Sequence, residues 1–208
     1  MKRKFCNMIK RRFSGFMIAV IMILFSFPLY CEEMTPKEAL KTPIDSIIGI
    51  LKDPAYQDKT KKSEQRAKIW EQVPEIFDFQ EMGKRSLGKY GNMFNDKQKE
   101  EYVGLFTKLI GNTYLDKVQA EYNGEDVVFT GEEMITPDKA VVNTVIPRKT
   151  IEIPINYSLK KDDGKWRVYD VNIEGVSLVK NYRSQFASIL RSDSADAFLT
   201  KLKEKVKE

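Results

Sequence analysis

The sequence predicts an α+β domain behind an N-terminal leader, and three observations carry that reading. Apolar residues recur at helical spacing on both sides of residues 127–173. Within that stretch they form short β-rich blocks, one of which alternates cleanly. Ahead of everything, Lys2, Arg3, Lys4, Lys10, Arg11 and Arg12 stand without an acid before an apolar run from Phe13 to Tyr30. Helices, then a block of strands, then helices is an α+β order, here centred on a four-stranded antiparallel meander.

The basic flank and short apolar run describe a secretory signal, so residues 1–31 are expected to be a signal peptide and 32–208 a single domain. The run is also near the lower length limit of a membrane span, which keeps a retained anchor as the alternative. Cys31 invites a lipoprotein reading, but Tyr30 is bulky where a small residue is wanted. Cleavage just after Cys31 is the preferred expectation. The leader holds six of the 35 Lys and Arg residues and none of the 30 acids. Removing it leaves 29 bases against 30 acids, a net charge of −1 in place of +5. No nucleic-acid partner is expected from such a balance. Both cysteines, Cys6 and Cys31, fall in the leader, so the remainder has neither thiol nor disulfide; about 177 residues can bury a core without one.

The elements follow in order. Thr35, Pro36 and Glu38 form a capping box with proline at the first helical position. Leu40, Ile44, Ile47, Ile48 and Leu51 continue that helix, Pro43 should kink or restart it, and Asp53-Pro54 should end it. A second helix presents Ile69, Trp70 and Val73 and should stop at Pro74. A third starts near Asp78 and buries Phe79, Met82 and Leu87, with Gly88 and Gly91 in the following turn. Asn95 caps the longest helix, expected over 96–122, with Tyr102, Val103, Phe106, Leu109, Ile110, Tyr114, Val118 and Tyr122 in one wide stripe. Gly104 and Gly111 share a face there. Each costs about 1 kcal/mol relative to Ala, which predicts a close neighbour or a ligand wall.

Strands are expected at 127–129, 140–146, 151–159 and 166–173. In the third, Ile151, Ile153, Ile155, Tyr157 and Leu159 face one way and polar residues the other, so one side of the sheet is buried. Pro154 suggests an edge strand or a bulge. Lys161-Asp162-Asp163-Gly164 reads as a hairpin turn. Two helices close the chain, one over 177–191 and one capped near Asp193 or Ser194.

Histidine is absent, which excludes Ser-His-Asp and Cys-His chemistry and the usual zinc sites. No P-loop, G-x-G-x-x-G or G-x-S-x-G is present. The acid pairs Glu132-Glu133 and Asp162-Asp163 read as solvated turns. No enzyme, metal or cofactor is expected.

One stretch is more specific. Gly164-Lys165-Trp166-Arg167-Val168-Tyr169-Asp170-Val171, followed by Ile173 to Phe186, resembles the signature of the MlaC family, also called the toluene-tolerance family of auxiliary transport proteins. Phe77-Asp78-Phe79, Leu87-Gly88-Lys89-Tyr90, Thr113-Tyr114 and Tyr122 agree with it in order, and the resemblance spans roughly residues 36–205. It implies a twisted four-stranded antiparallel sheet of the NTF2-like or cystatin-like kind, packed against several helices and enclosing an apolar lipid cavity. It implies a periplasmic phospholipid carrier in an Mla-type system that sustains outer-membrane lipid asymmetry. The partners it implies are a diacyl phospholipid as cargo, the MCE-domain subunit of an inner-membrane ABC transporter and an outer-membrane lipoprotein-porin complex. By position, Tyr114 and Val176 match cavity-lining residues of the family. A hopanoid-like cargo, or a scaffold with a filled core, are the alternatives.

Carrier physics agrees with the resemblance. A diacyl lipid leaving a bilayer loses about 0.8 kcal/mol per exposed CH₂, so its carrier needs an equally apolar lining and no catalytic group. The candidate lining is Tyr102, Phe106, Leu109, Ile110, Tyr114 and Val118 on the long helix, Ile153, Ile155 and Tyr157 on the third strand, and Val176, Val179, Tyr182 and Phe186 after the last strand. An ordinary filled core is the plain alternative for each. Ser177 reads as a helix cap, or as part of a phosphate-facing helix terminus. Arg183 reads as a structural cation or a head-group contact. The Lys201–Lys207 tail reads as a solvated face, or a docking surface. Intact mass of the exported protein should equal that of residues 32–208; a diacylglycerol increment on Cys31 would refute that processing.

Overall fold

The structure, a computed structural model, describes residues 34–56 and 58–207. The expected leader, its cleavage site and both cysteines lie outside the described residues.

Helix α1 (Pro36–Lys52) begins where its capping box predicts. The Thr35 hydroxyl accepts from the Glu38 amide at 3.2 Å, and the Glu38 carboxylate accepts from the Thr35 amide at 2.9 Å. Such a cap stabilises a helix by about 1 kcal/mol. Pro43 does not restart the helix: α1 is continuous through it. Leu40 and Ile44, one turn apart around the proline, are both buried and hold the helix on course. Two short 3₁₀ turns, Pro54–Tyr56 and Lys59–Lys61, lead into α2 (Lys62–Ile76). Pro74 lies inside α2, contrary to the expected stop. Its ring faces solvent, while buried Val73 and Ile76 carry the helix two residues further.

Asp78 caps α3 (Phe79–Leu87), its side chain accepting from the Glu81 amide at 2.9 Å. A 3₁₀ turn (Gly88–Met93) follows, and α4 (Asp96–Glu121) starts with a second capping box, between Asn95 and Gln98. The C-terminal helices are α5 (Leu178–Leu190) and α6 (Ala195–Lys207), the latter capped by Ser194.

The sheet is an antiparallel meander of five strands rather than four: β1 (Val128–Thr136), β2 (Lys139–Pro147), β3 (Glu152–Asp162), β4 (Lys165–Ile173) and β5 (Val176–Ser177), in that spatial order. The added β5 has two residues, turned back onto β4 through Glu174 and Gly175 at φ 50° and 86°. Strand β1 is three times the expected length, because an exposed edge strand carries little apolar signal. Glu132 and Glu133 lie inside it, not in a turn. Pro154 sits in an interior strand, paired with Val145 of β2 and free of a bulge. Its carbonyl accepts from Glu174 just past the end of β4, so its missing N–H faces the side where pairing has ended. The β3–β4 turn is as expected, with Asp163 and Gly164 both at positive φ.

Three buried clusters result. The largest joins α3, α4, α5 and α6 around the rings of Tyr102, Phe106, Tyr182, Phe186 and Phe198, whose contacting centroids lie 5.2–6.2 Å apart. The buried Tyr102 hydroxyl is satisfied by Ser86 at 2.6 Å. A second cluster sets Leu40, Ile44 and Ile76 on the inner face of the sheet. A third holds Leu51, Ile69, Val73 and Leu115 between α1, α2 and α4. Phe77 packs against all three. The wide stripe of α4 is explained by α4 having helical neighbours on several sides, α2, α3 and α6.

The two glycines of α4 differ. A Cβ at Gly111 would meet the Trp70 ring at 2.6 and 2.7 Å, so here the close approach is real. A Cβ at Gly104 would meet nothing within 4 Å, so no close neighbour explains that glycine. Gly111→Ala should therefore destabilise the fold by about 1–3 kcal/mol, and Gly104→Ala should stabilise it by up to about 1 kcal/mol, both read from urea midpoints.

Candidate functional site

Burial along the inner face of the sheet falls from one end to the other. At the end of the β3–β4 turn, Ala140, Leu159 and Val168 stand side by side and are 1%, 1% and 0% exposed. One row on, Val142 and Val171 remain buried while Tyr157 between them is half-buried. In the next row Thr144 is buried but Ile155 and Ile173 are half-buried, and Val176 beside them is 59% exposed. Ile146 and Ile153 end the face, both half-buried. The inner face is thus shut at one end and open at the other.

The closed end is built by the α2–α3 junction. The Asp78 amide donates to the Val168 carbonyl at 2.9 Å, which lays Phe77 against β4. Phe79 stacks beside Phe77 at 5.7 Å and Trp70 beside Phe79 at 6.2 Å. Helix α1 runs alongside β1: the Lys37 amide donates to Glu132, Lys41 lies 5.9 Å from the Phe129 ring, and Lys52 reaches Asp126 at 2.5 Å. Its Ile47 and Ile48 touch both the sheet cluster and the α1–α2–α4 cluster. The sheet takes its close helix packing from α1, α2, α3 and α5, whereas α4 packs on α2, α3 and α6. The C-terminal half of α4 and the sheet are therefore linked through α1 and the α2–α3 junction rather than packed directly on one another.

Tyrosines mark both elements. Burial pushes the Tyr157 phenol up to about 12, with Thr144 as its side-chain partner pulling the other way. The residue as a whole is half-buried, so part of its side chain reaches the surface while its hydroxyl end is enclosed. Burial also raises Tyr114, and the neighbouring Tyr182 raises it further. Tyr182 is raised by burial, with Thr113 opposing. All remain neutral at physiological pH, as contact with hydrocarbon requires.

The thirteen expected lining residues separate into groups. Tyr102, Phe106, Leu109, Ile110, Val179, Tyr182 and Phe186 are packed in the helical core, with Tyr114 half-buried at its margin. Ile153, Ile155 and Tyr157 line the open part of the sheet. Val118 and Val176 are 42% and 59% exposed at the rim. Ile47, Ile48, Phe129 and Ile173 also pack on the inner face of the sheet and are not among the thirteen. Adjacent isoleucines in one helix, which must face two ways, were an available signal.

The polar features have partners within the chain. Ser177 caps α5, accepting from Lys180 at 3.1 Å and donating to Asp170 at 2.6 Å. Asp170 also accepts from the Val179 amide at 3.0 Å, so a carboxylate already fills this helix terminus. Arg183 donates to the Arg85 carbonyl at 2.7 Å and packs beside Gly88. On the tail, Lys201 pairs with Asp193 at 2.7 Å and Lys203 with Glu101. Among the described residues, no group of three or more His, Cys, Asp or Glu side chains is placed to hold a metal ion, and no helix is long and apolar enough to cross a membrane.

The family model described as MlaC protein matches residues 41–204. The chain is 23% identical over 127 residues to the intermembrane phospholipid transport system binding protein MlaC of Haemophilus influenzae, which covers 59% of each chain. It is 21% identical over 180 residues to toluene tolerance protein ttg2D of Pseudomonas putida, covering 85% of this chain and 83% of that one. Among solved structures, it resembles the phospholipid-binding protein from Ralstonia solanacearum in complex with a phospholipid, with a TM-score of 0.70, 21% identity, and coverage of 83% and 97%. At that identity the likeness shows the fold.

The Asp170 carboxylate is the testable new element of this region. Asp170→Ala removes both of its bonds to the start of α5 and should cost about 1–3 kcal/mol of stability, measured by urea unfolding.

Proposed function

The chain belongs to the MlaC family, and from that premise we propose that it is a phospholipid carrier whose cargo tails lie between the C-terminal half of α4 and the open rows of the sheet. The observation that supports this most is the gradient of burial along the inner face. Half-buried aliphatic and tyrosine side chains from α1, α4, β3 and β4 converge there, with Val118 and Val176 exposed at the rim. An ordinary core would close such a surface, because each exposed methylene forfeits transfer free energy. Acyl chains restore that burial.

Recognition by tails needs little geometry and no reacting group. Release needs an affinity near that of the membrane, since cargo gains about 0.8 kcal/mol per methylene in either place. Walls of Ile, Val and neutral Tyr meet that condition better than charged anchors would. On this reading the protein works outside the cytoplasm, after removal of residues 1–31, between an outer-membrane lipoprotein-porin complex and an MCE-domain subunit of an inner-membrane transporter.

Extraction of the purified protein into organic solvent, followed by mass spectrometry, is the test. Stoichiometric two-tailed phospholipid is expected. A polycyclic lipid would replace the cargo, and absence of lipid after expression with membranes would refute the carrier reading. Val176→Glu places a carboxylate at the rim and Tyr114→Glu places one on the α4 wall. Each should lower co-purified phospholipid by at least about tenfold, because an ion against hydrocarbon is strongly disfavoured. Val176→Glu should leave the circular dichroism spectrum unchanged, as the residue is exposed. Unchanged lipid in both variants would place the cargo elsewhere.

A further inference from the structure

A polar cleft of about 350 Å³ lies where α1 and α4 end, and none of the described residues lining it is acidic. Lys52, Lys62, Gln65, Gln119, Tyr122 and Asn123 form its polar wall. The size is within the range of small-ligand sites. Several of these groups hold one another in place. The Lys62 ammonium donates to the Gln119 carbonyl at 3.2 Å, and the Gln119 amide donates to the Lys62 carbonyl at 3.1 Å and to Gln65 at 2.9 Å. Lys62 thus has no carboxylate partner among the described residues. Lys52 is paired with Asp126, which stands outside the lining.

One donor is unmet. The Tyr122 hydroxyl is buried at the wall of this cleft and has no hydrogen-bond partner among the described residues. A buried unsatisfied hydroxyl is costly unless something completes it. The cleft is also placed to serve the apolar site. Leu51 and Tyr122 line it and at the same time belong to the apolar cluster between α1, α2 and α4. Asp126 and the start of β1 put it at the open end of the sheet.

We propose that this cleft binds a phosphate group, with Lys62 supplying the charge and the Tyr122 hydroxyl and the Asn123 side-chain amide supplying directed donors. Where the carrier reading holds, the group is the phosphodiester of the cargo's head; free phosphate has the same chemistry. An ammonium against anionic oxygen gives a stronger bond than a neutral pair, so this contact orients the lipid while the tails supply most of the affinity.

Three probes separate the cases by amide NMR of Asn123 and Gly124 in the purified protein: inorganic phosphate, dihexanoyl phosphatidylglycerol, and dihexanoylglycerol, which has the same tails and no phosphate. The expected result is a shift of both amides with the phospholipid and not with dihexanoylglycerol. Lys62→Gln and the near-isosteric Tyr122→Phe should each weaken the phospholipid by about tenfold, with dihexanoylglycerol affinity unchanged. Shifts with inorganic phosphate as well also support the site, and phosphate shifts without any lipid binding support it while refuting the carrier reading. Failure of both phosphate-bearing probes to move these amides, or unchanged affinity in both variants, overturns the site. Tail binding by dihexanoylglycerol then decides the carrier reading separately.

Discussion

Packing among the rings of α4, α5 and α6 fixes where the long helix can be. Tyr102 and Phe106 stack at 5.7 Å, and Phe186 and Phe198 meet edge to face at 5.2 Å, so the first half of α4 is committed to helical neighbours. Each such pair adds roughly 0.5–1.5 kcal/mol beyond area burial. The Trp70 ring against Gly111 then seats the middle of α4 on α2. With those contacts made, the C-terminal half of α4 extends past the helical core beside the sheet rather than collapsing onto it.

Most of the fold was legible because its signals are local. The two capping residues Thr35 and Asn95, the alternation from Ile153 to Leu159, and the Asp163-Gly164 turn each report on neighbours within a few residues, whereas Ile151, expected on the same face, lies outside β3 and is 56% exposed. Prolines misled where tertiary burial decided the outcome: Leu40 and Ile44 carry α1 through Pro43, and Ile76 carries α2 past Pro74. Pro154 misled for a different reason, since sequence does not reveal where the neighbouring strand stops. The edge strand β1 was undercounted because its exposed residues carry no apolar period.

The candidate site was less legible than the fold. A stripe on α4 shows that residues are apolar, not which helix or strand each will meet. Tyr102 and Tyr114 share that stripe, yet one is sealed among rings and the other stands at the margin of the open space. The junction at Phe77, which touches three clusters, depends on contacts with residues 90 positions away in β4 and is invisible to periodicity. Asp170 lies inside the most recognisable stretch of the chain, but its bonds to Ser177 and Val179 depend on the bend between β4 and α5.

The two ends of the sheet are also fastened by different kinds of force. The closed end is held by aromatic packing and a backbone hydrogen bond from Asp78 to Val168. At the open end, Arg148 ties the β2–β3 connection to Glu121 and Glu125 at 3.2 and 3.5 Å, and Lys52 ties α1 to Asp126. Lys52–Asp126 and Arg148–Glu121 are partly exposed and contribute about 0–1 kcal/mol each, weakening with salt, whereas Glu125 beside Arg148 is only 15% exposed. Salt therefore acts unevenly on the molecule, weakening the ties at the open end while leaving the aromatic packing at the base untouched.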